Sequence, residues 1–192
     1  MIHLHDFKID IFQYAANRKE NEFPRLDRCP GCHCFASGNI HRHGYYWRYG
    51  IKEDEHIPLA ICRYLCLACG ITISILPSFL VPYFQYTLYM IFKGIKRYLN
   101  GELFKSTRQL VGQHIKRFYK KIHWIHSCFV HEGYSNGLSK NIKKEALKYM
   151  KMIQDTGISS FFRRSWGLLS SYFMGTLILP HFSLEKNNIH PT

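Results

Sequence analysis

Residues 29–32 read Cys-Pro-Gly-Cys and residues 66–70 read Cys-Leu-Ala-Cys-Gly, and these two stretches are the strongest indication of the fold of the 192-residue chain. Two residues between thiols let one tight turn direct both sulfurs at a single ion, and two such turns supply the four ligands of a closed tetrahedral site. The spacing therefore predicts one structural zinc ion (Zn2+). Its predicted ligands are Cys29, Cys32, Cys66 and Cys69. Gly31 and Gly70 fit because such knuckles need backbone positions with positive φ.

Three further cysteines stand outside the two pairs. Cys34 lies two residues beyond Cys32 and either replaces it or lies beside it. Cys62 and Cys128 fall in a predicted strand and a predicted helix, where a small buried hydrophobic side chain is the ordinary role of a free cysteine. The alternative to zinc is a group of buried or redox-active thiols.

The sequence between the two pairs is typical of a β-hairpin. Residues 40–49 and 56–65 are rich in aromatic and β-branched side chains, and the polar residues 50–55 between them predict a turn. Residues 71–76 predict a third short strand after the second pair. Two knuckles separated by a hairpin are typical of a zinc ribbon.

Composition and length limit the remaining possibilities. A chain of 192 residues has room for one domain or two small modules, and its 46% hydrophobic content is enough for a core, which excludes a simply disordered chain. The first residues lack a secretory signal pattern, so we expect a cytoplasmic protein with reduced cysteines. Residues 166–182 are apolar but contain Gly and Pro and are shorter than a membrane span, so we predict a packing segment and no membrane partner.

The net charge of +13 is concentrated in one part of the chain. Residues 90–151 contain 14 Lys and Arg against three Glu. Phosphate backbones, anionic membranes and acidic proteins are the physical partners of such a surface, and nucleic acid is the commonest of them. The sequence thus predicts a nearly neutral module joined to a basic one.

The basic part shows a helical pattern in three pieces. Pro77 and Pro82 predict an extended connector, and Thr87 is a plausible cap for a first helix. Residues 106–109 resemble a capping box that opens a short second helix, Gly112 is the predicted turn, and a third helix is predicted over residues 113–129. This order is typical of a helix-turn-helix, whose last helix enters the major groove.

Ten residues are predicted to contact nucleic acid from the ribbon and from the basic module. Four of them, Gln113, His114, Arg117 and Lys121, are predicted to face the groove because they lie away from the apolar stripe of the third helix. The full set is Arg42, His43, Arg48, Arg108, Gln113, His114, Lys116, Arg117, Lys120 and Lys121. The alternative is an ordinary solvated surface helix.

The predicted fold class is α+β, with a small N-terminal β zinc ribbon, an α-helical helix-turn-helix module and a helical C-terminal segment. Ser139 is predicted to cap a helix that ends near Gln154 before Gly157, and residues 159–166 predict another that packs the apolar tail. The predicted parts are an N-terminal segment 1–24, the ribbon 25–80, the basic module 81–132 and the C-terminal segment 133–192.

Three stretches resemble a known family. The sequence has Cys-Pro-Gly-Cys, then His-Arg-His-Gly-Tyr-Tyr-Trp-Arg, then Arg-Tyr-Leu-Cys-Leu-Ala-Cys-Gly-Ile-Thr-Ile-Ser-Ile-Leu-Pro-Ser-Phe-Leu-Val-Pro-Tyr. They resemble the zinc-ribbon leader of transposase-related proteins of bacterial insertion sequences, some of which are domains of unknown function. There the pattern is roughly CPxC, RHGxYxR and RYxCxxCGxTFSxLPxFLxPY, and a helix-turn-helix follows. The resemblance covers about residues 25–129, with Ile73 where the pattern has Phe.

The resemblance implies that the four paired cysteines bind zinc and that the helix from Gln113 is the recognition helix. Only 63 residues follow Phe129, with four acidic residues among them, too few for a nuclease core with its metal-binding carboxylates. We therefore expect DNA binding without cutting. A closed four-cysteine site also leaves no open position for water, so no enzymatic activity is expected.

The predicted function is a transposase-related, zinc-dependent DNA-binding protein associated with the bacterial nucleoid. Its partners are double-stranded DNA and, as further candidates, a second copy in a homodimer or a separate transposase subunit. The alternative is an RNA-binding or transcription-associated zinc-ribbon regulator, because the aromatic and basic residues 45–49 can stack on unpaired bases. Those aromatics also fit cross-strand pairs that stabilise a hairpin.

Overall fold

The computed structural model describes residues 1–102 and 108–165, together with the backbone of two short strands near the C-terminus. Its described part is α+β, with a mixed four-stranded sheet followed by helices. The strands are β1 Ile2–His5, β2 Ile40–Lys52, β3 Glu55–Cys66, β4 Thr72–Pro77, β5 Ser171–Tyr172 and β6 Gly175–Thr176. The α-helices are α1 Ile11–Asn17, α2 Leu88–Leu99, α3 Arg108–Lys120, α4 Ile122–His131, α5 Ile142–Thr156 and α6 Ile158–Ser165.

The three predicted strands are confirmed as β2, β3 and β4, and the hairpin is longer than predicted. β2 and β3 stay paired as far as Lys52 opposite Glu55, so the predicted turn shrinks to Glu53 and Asp54. Both turn residues have positive φ, 51° and 69°. Such a two-residue turn matches the twist of the flanking strands, which explains why the pairing extends through the polar residues.

The N-terminal residues add a strand and a helix that the sequence analysis did not predict. β1 pairs in parallel with β4, which gives the sheet order β1-β4-β3-β2. Asp10 caps α1 by accepting hydrogen bonds from the N–H groups of Phe12 and Gln13. On α1, Tyr14 is fully buried and donates a hydrogen bond of 2.7 Å to the carbonyl of Ala60 in β3. Residues 1–24 therefore pack directly on the central strands.

The connector between β4 and α2, residues 78–87, is hydrogen-bonded to β2. The N–H of Ile51 donates to the carbonyl of Gln85 at 2.8 Å, and the N–H of Thr87 donates to the carbonyl of Ile51 at 3.0 Å. Thr87 is confirmed as the cap of α2, since its hydroxyl accepts from the N–H of Met90 at 3.4 Å. The first helix of the basic part thus starts at a fixed point of the sheet.

The predicted turn at Gly112 is wrong, because α3 continues without interruption from Arg108 to Lys120. One side of this helix is buried at positions 111, 114, 115 and 118, a spacing that a continuous helix satisfies. The chain breaks at Lys121 instead, whose N–H bonds the carbonyls of Arg117 and Phe118, and α4 begins at the next residue. Residues 113–129, predicted as the third helix, therefore fall in both α3 and α4. The one residue between these two helices is fewer than the 3–4 residues of a helix-turn-helix turn.

We expect Gly112→Ala to raise the unfolding free energy by about 0.5–1 kcal/mol, because alanine favours an uninterrupted helix and nothing lies within 4 Å of the added Cβ. Gly101→Ala is the contrasting variant, since Gly101 is equally unobstructed but has a φ of 78° and should lose stability on substitution. Denaturant unfolding of both variants measures the difference. A loss of stability in Gly112→Ala would mean that Gly112 is a turn.

The last two described helices are confirmed with one change of cap. Asn141 caps α5 in place of Ser139, because its side-chain oxygen accepts from the N–H of Lys144 at 3.0 Å. Gly157, with a φ of 89°, ends α5 as predicted. The helices share an aromatic core in which Phe129 of α4 stacks between rings of α5 and α6 at 5.9 and 5.3 Å.

The predicted packing segment over residues 166–182 lies outside the described residues, apart from the antiparallel pair of β5 and β6. Within the described part of the chain, no helix has both the length and the apolar character needed to cross a membrane.

Candidate functional site

The structure brings together the four cysteines of the two Cys-x-x-Cys pairs. Their sulfur atoms all lie within 4.8 Å of one another. Across the two knuckles, the Sγ atoms of Cys29 and Cys69 are 3.7 Å apart, and those of Cys32 and Cys66 are 3.8 Å apart. The cluster joins the loop before β2 to the end of β3, and it is able to hold a metal ion.

The two knuckles have the same backbone arrangement. In the first, the N–H of His33 donates to the carbonyl of Cys29 at 2.9 Å; in the second, the N–H of Gly70 donates to the carbonyl of Cys66 at 2.8 Å. Both donors follow the second cysteine of their pair and have left-handed φ angles of 59° and 70°. Equivalent turns aim both pairs of sulfurs at one point.

Gly31 does not have the positive φ that the sequence analysis predicted for it, since His33 adopts that conformation in the first knuckle. The absence of a side chain at Gly31 has a steric reason instead. An added Cβ would lie 2.6 Å from Cδ1 of Ile71, and the N–H of Gly31 donates to the Sγ of Cys29 at 3.3 Å. Gly31 therefore lets the two knuckles approach each other and supplies a hydrogen bond to a ligand sulfur.

Cys34 lies beside the cluster, with its Sγ 3.5 Å from that of Cys66. Its carbonyl accepts from the N–H of Cys29 at 3.0 Å, just as the carbonyl of Ile71 accepts from the N–H of Cys66 in the other knuckle. Hydrogen bonding to Cys32, burial and contact with Cys66 raise the pKa of the Cys34 thiol to about 12. Cys34 therefore occupies the position of a supporting residue, equivalent to Ile71.

We expect Cys34→Ala to keep one bound metal ion per chain, because the four paired sulfurs remain in place. The matched variant Cys32→Ala should fall well below one ion per chain, since it removes an arm of the tetrahedron. Metal analysis of the two purified variants gives the answer. Loss of the ion in Cys34→Ala with full retention in Cys32→Ala would exchange the roles of the two residues.

The two remaining cysteines are buried, as predicted. Cys62 lies on β3 with no exposed surface, and Cys128 lies on α4 with 4% exposed. Burial and the nearby carboxylate of Glu132 raise the pKa of Cys128 to about 11. Both thiols therefore stay protonated and act as small core side chains.

A second candidate site is the exposed face of α3. Gln113, Lys116, Arg117 and Lys120 are all exposed, and their spacing of three, four and seven residues places them on one face. Within the described residues, no carboxylate lies at ion-pair distance from the three cations. Elsewhere basic residues are paired, for example Lys93 with Glu53 at 3.3 Å. We call these four residues the basic face of α3.

His114 is placed differently from the prediction, because it belongs to the buried side of α3. It is only 4% exposed and its ring lies 5.7 Å from that of Phe84 and 6.4 Å from that of Tyr86. Burial and the nearby Arg117 lower the pKa of His114 to about 4, so the ring is neutral. The buried side of α3 is one position wider than the apolar stripe predicted from the sequence, and His114 occupies the additional position.

Arg48 is also placed away from the surface that was predicted for it. Its guanidinium donates to the carbonyl of Val81 at 2.8 Å and to the carbonyl of Phe84. These bonds tie β2 to the connector, so Arg48 has a structural role in joining the sheet to the helices. These two carbonyls lie more than thirty residues from Arg48, so no local pattern in the sequence predicts the bonds.

The other predicted contact residues lie at separate places. Arg42 and His43 are exposed on β2, where the register with β3 shifts between Arg42 and Gly44. Lys121 is half-buried at the break between α3 and α4, and burial lowers its pKa. Arg108 begins α3, but its side chain lies outside the described residues. Among the predicted contact residues whose side chains are described, the structure therefore brings together only those of the basic face.

Arg117 has an aromatic contact that the sequence does not predict. The guanidinium of Arg117 lies 4.8 Å from the centre of the Phe84 ring, which also contacts His114. A cation held over an aromatic ring keeps its charge while losing freedom of movement. The connector thus positions one member of the basic face.

Comparisons of the chain with protein-family models, with curated proteins and with solved structures find no match.

Proposed function

We propose that the chain is a zinc-binding protein that binds double-stranded DNA, and that it is the DNA-recognition part of a transposase-related element. The basic face of α3 is the single observation that carries the DNA-binding part. The four-cysteine cluster carries the zinc part.

Zinc fits the cluster in both distance and chemistry. A tetrahedron of sulfurs about 2.3 Å from a central zinc ion has edges of about 3.8 Å. The distances of 3.7 and 3.8 Å between sulfurs of opposite knuckles agree with this value. Four thiolates are also the ligand set that favours zinc over the hard cations magnesium and calcium. With all four positions taken by sulfur, the ion is structural.

The basic face of α3 suits the major groove of DNA. A helix with its side chains is about 10–12 Å across, and the major groove is about 12 Å wide. Lys116, Arg117 and Lys120 supply charge for phosphates, and Gln113 on the same face has the donor and acceptor needed for an adenine edge. The contact uses α3 as one continuous helix, so it does not require a turn at Gly112.

The direct test of this function is the salt dependence of binding to a random-sequence duplex. Each neutralised phosphate adds about −0.9 to the slope of log K against log salt concentration, so three cations predict a slope of about −2.7 or steeper. Fluorescence anisotropy of the zinc-loaded protein between 50 and about 300 mM salt measures it. An affinity that does not change over this range contradicts phosphate contacts by the basic face.

RNA binding is the second candidate, and exposed aromatics on β2 favour it. The side chains of Trp47 and Tyr49 are each 53% exposed, and exposed rings can stack on unpaired bases. Competition between duplex DNA and single-stranded RNA for the same protein separates the two functions. Displacement of the duplex by a substoichiometric amount of RNA would favour the RNA-binding regulator.

We also propose partners that follow from the transposase relation. The DNA-recognition part of a transposase system works with a transposase subunit that supplies the nuclease, or with a second copy of itself that binds a second DNA site. In a bacterial cell, binding to duplex DNA would place the protein in the cytoplasm at the nucleoid. Copurification of a nuclease subunit from the same mobile element tests the first of these partners.

A further inference from the structure

An open cavity of about 770 Å3 lies beside the first knuckle, and none of its lining residues belongs to α3. Its volume falls within the range of about 300–1,000 Å3 that is typical of small-molecule sites. The lining residues come from the loops on either side of the knuckle and from β2 and β3. They include Phe23, Arg25, Asp27, Phe35, Arg42 and Tyr64.

One exposed and one buried aromatic ring are among the residues that line this cavity, and each has a neighbouring contact. Tyr64 is 8% exposed and donates a hydrogen bond of 3.0 Å to the carbonyl of Pro24. Phe35 is 65% exposed, and the guanidinium of Arg28 lies 3.9 Å from the centre of its ring. Arg28 is held in turn by a bond of 3.1 Å to the carbonyl of His33. The cavity thus offers the exposed ring of Phe35 to a planar ligand.

The charge of the lining favours an anion. Arg25 and Arg42 both line the cavity, against the one carboxylate of Asp27 among the lining residues. Hydrogen bonding to Tyr64 raises the pKa of Arg42, and its guanidinium lies 5.9 Å from the centre of the Phe23 ring. A guanidinium is planar and matches two oxygens of a phosphate at once, so a positioned arginine beside an aromatic ring suits a phosphorylated planar group.

The walls of the cavity are built on the metal-binding knuckle. Asp27 and Ala36 are joined by a hydrogen bond of 2.9 Å between the carbonyl of the first and the N–H of the second. Arg28 and Phe35 form the next bridge, and the first ligand, Cys29, follows directly. A bound ion that fixes Cys29 therefore also fixes the spacing of the two walls.

We propose that this cavity binds one nucleoside monophosphate unit, with its base against the exposed ring of Phe35 and its phosphate on Arg25 and Arg42. The unit is either a free nucleotide or an unpaired nucleotide of a strand, which present the same chemistry. Asp27 provides an acceptor for an amino group of the base, which favours adenine, guanine and cytosine over thymine and uracil. This site goes beyond the duplex contact of α3 and does not depend on it.

The test uses 2-aminopurine, whose fluorescence falls when the base stacks on an aromatic ring. Three probes are titrated with the zinc-loaded full chain: the free 2-aminopurine nucleoside monophosphate, a single strand containing one 2-aminopurine, and the same strand in a duplex. We expect saturable quenching of the free monophosphate, of the single strand or of both, and little quenching in the duplex. Binding of the free probe identifies a nucleotide site, and binding of the strand alone identifies an unpaired residue of a nucleic acid. No quenching of either overturns the proposal.

The variants Phe35→Leu and Arg42→Gln should each lower the affinity for the probe, measured by quenching, at least tenfold, since both side chains are exposed and line the cavity. Phe12→Leu is the matched control, because Phe12 is also an exposed ring beneath a cation, with Nζ of Lys52 at 4.5 Å, and should leave quenching unchanged. Equal weakening by all three variants overturns the assignment. Unlabelled adenosine monophosphate should displace the probe, whereas displacement by inorganic phosphate alone at the same concentration contradicts recognition of the base.

A variant of the basic face keeps this proposal separate from duplex binding. Lys116→Gln combined with Lys120→Gln should weaken the affinity for duplex DNA and leave the quenching of the free monophosphate unchanged. If the duplex is not bound but the nucleotide is, the proposed function fails and the cavity site stands. If the double variant abolishes quenching of the free monophosphate, the probe binds at α3 and the cavity site fails.

Discussion

The Cys66→Ala variant will lose its bound zinc and at least about 4 kcal/mol of unfolding free energy, because loss of a structural metal is among the few single changes with so large an effect. Cys66 is fully buried at the end of β3, and its backbone bonds both Gly70 and Ile71 in the second knuckle. In a chain of this size the change lowers Tm by roughly 8–16 °C, at about 2–4 °C for each kcal/mol. Calorimetry and metal analysis measure the two effects.

Cys62→Ala is the matched control for this result. Cys62 lies four residues earlier on the same strand, is equally buried and loses the same sulfur atom. Because Cys62 lies outside the four-cysteine cluster, Cys62→Ala should keep one zinc ion and show an ordinary loss of about 1 kcal/mol. If the two variants have the same stability and the same zinc content, the cysteine cluster has no metal-binding role.

The second large effect is expected from the basic face of α3. Replacing Lys116, Arg117 and Lys120 together by glutamine would remove the three proposed phosphate contacts, and the slope of log K against log salt concentration should become shallower by about 2.7. At about 0.1 M salt this corresponds to an affinity for duplex DNA that is roughly 500-fold lower. All three side chains are exposed, so the fold should tolerate the change.

Three lysines on α5 provide a control with the same change of charge. Lys143, Lys144 and Lys151 are exposed there, and their replacement by glutamine also removes three positive charges. If the net charge alone attracts DNA, both triple variants will bind equally weakly. If the basic face of α3 makes the contact, the α5 variant will stay within a few-fold of the original affinity. Anisotropy titrations of both proteins at one salt concentration decide between these outcomes.

The parts of the fold that depend on local sequence could be predicted. The Cys-x-x-Cys spacing is itself the geometry of a knuckle, so the four cysteines were found directly. The β-branched and aromatic runs of β2 and β3 form strands because pleated, half-buried surfaces suit those side chains. Thr87 and Gly157 mark helix ends through hydrogen bonding and through positive φ, and both act within a few residues.

The parts that depend on distant contacts could not be predicted. β1 pairs with a strand about seventy residues further along the chain, and its four residues are too few to show a pattern. Gly112 was interpreted as a turn because glycine often ends a helix, but the buried residues on both sides of it favour continuation by more than glycine costs. Arg48 was assigned to a nucleic acid because its carbonyl partners in the connector are not visible in the sequence.

The same distinction explains the candidate sites. The four clustered cysteines carry their geometry in their spacing, whereas the cavity beside the first knuckle combines residues from 23 to 64 that no local pattern connects. The sequence predicts the charge of the basic face of α3 but not which residues belong to it. The burial of His114 depends on how the connector packs against the helix. Long-range packing therefore decides which of several basic residues are available to a partner.

Native mass spectrometry of the full chain, mixed with a short DNA duplex, counts bound zinc and bound DNA in one spectrum. We expect two main species, the chain with one zinc ion and the same zinc-bound chain with one duplex. A metal-free chain as the main species, or a zinc-bound chain that forms no complex with the duplex at low salt, would contradict it.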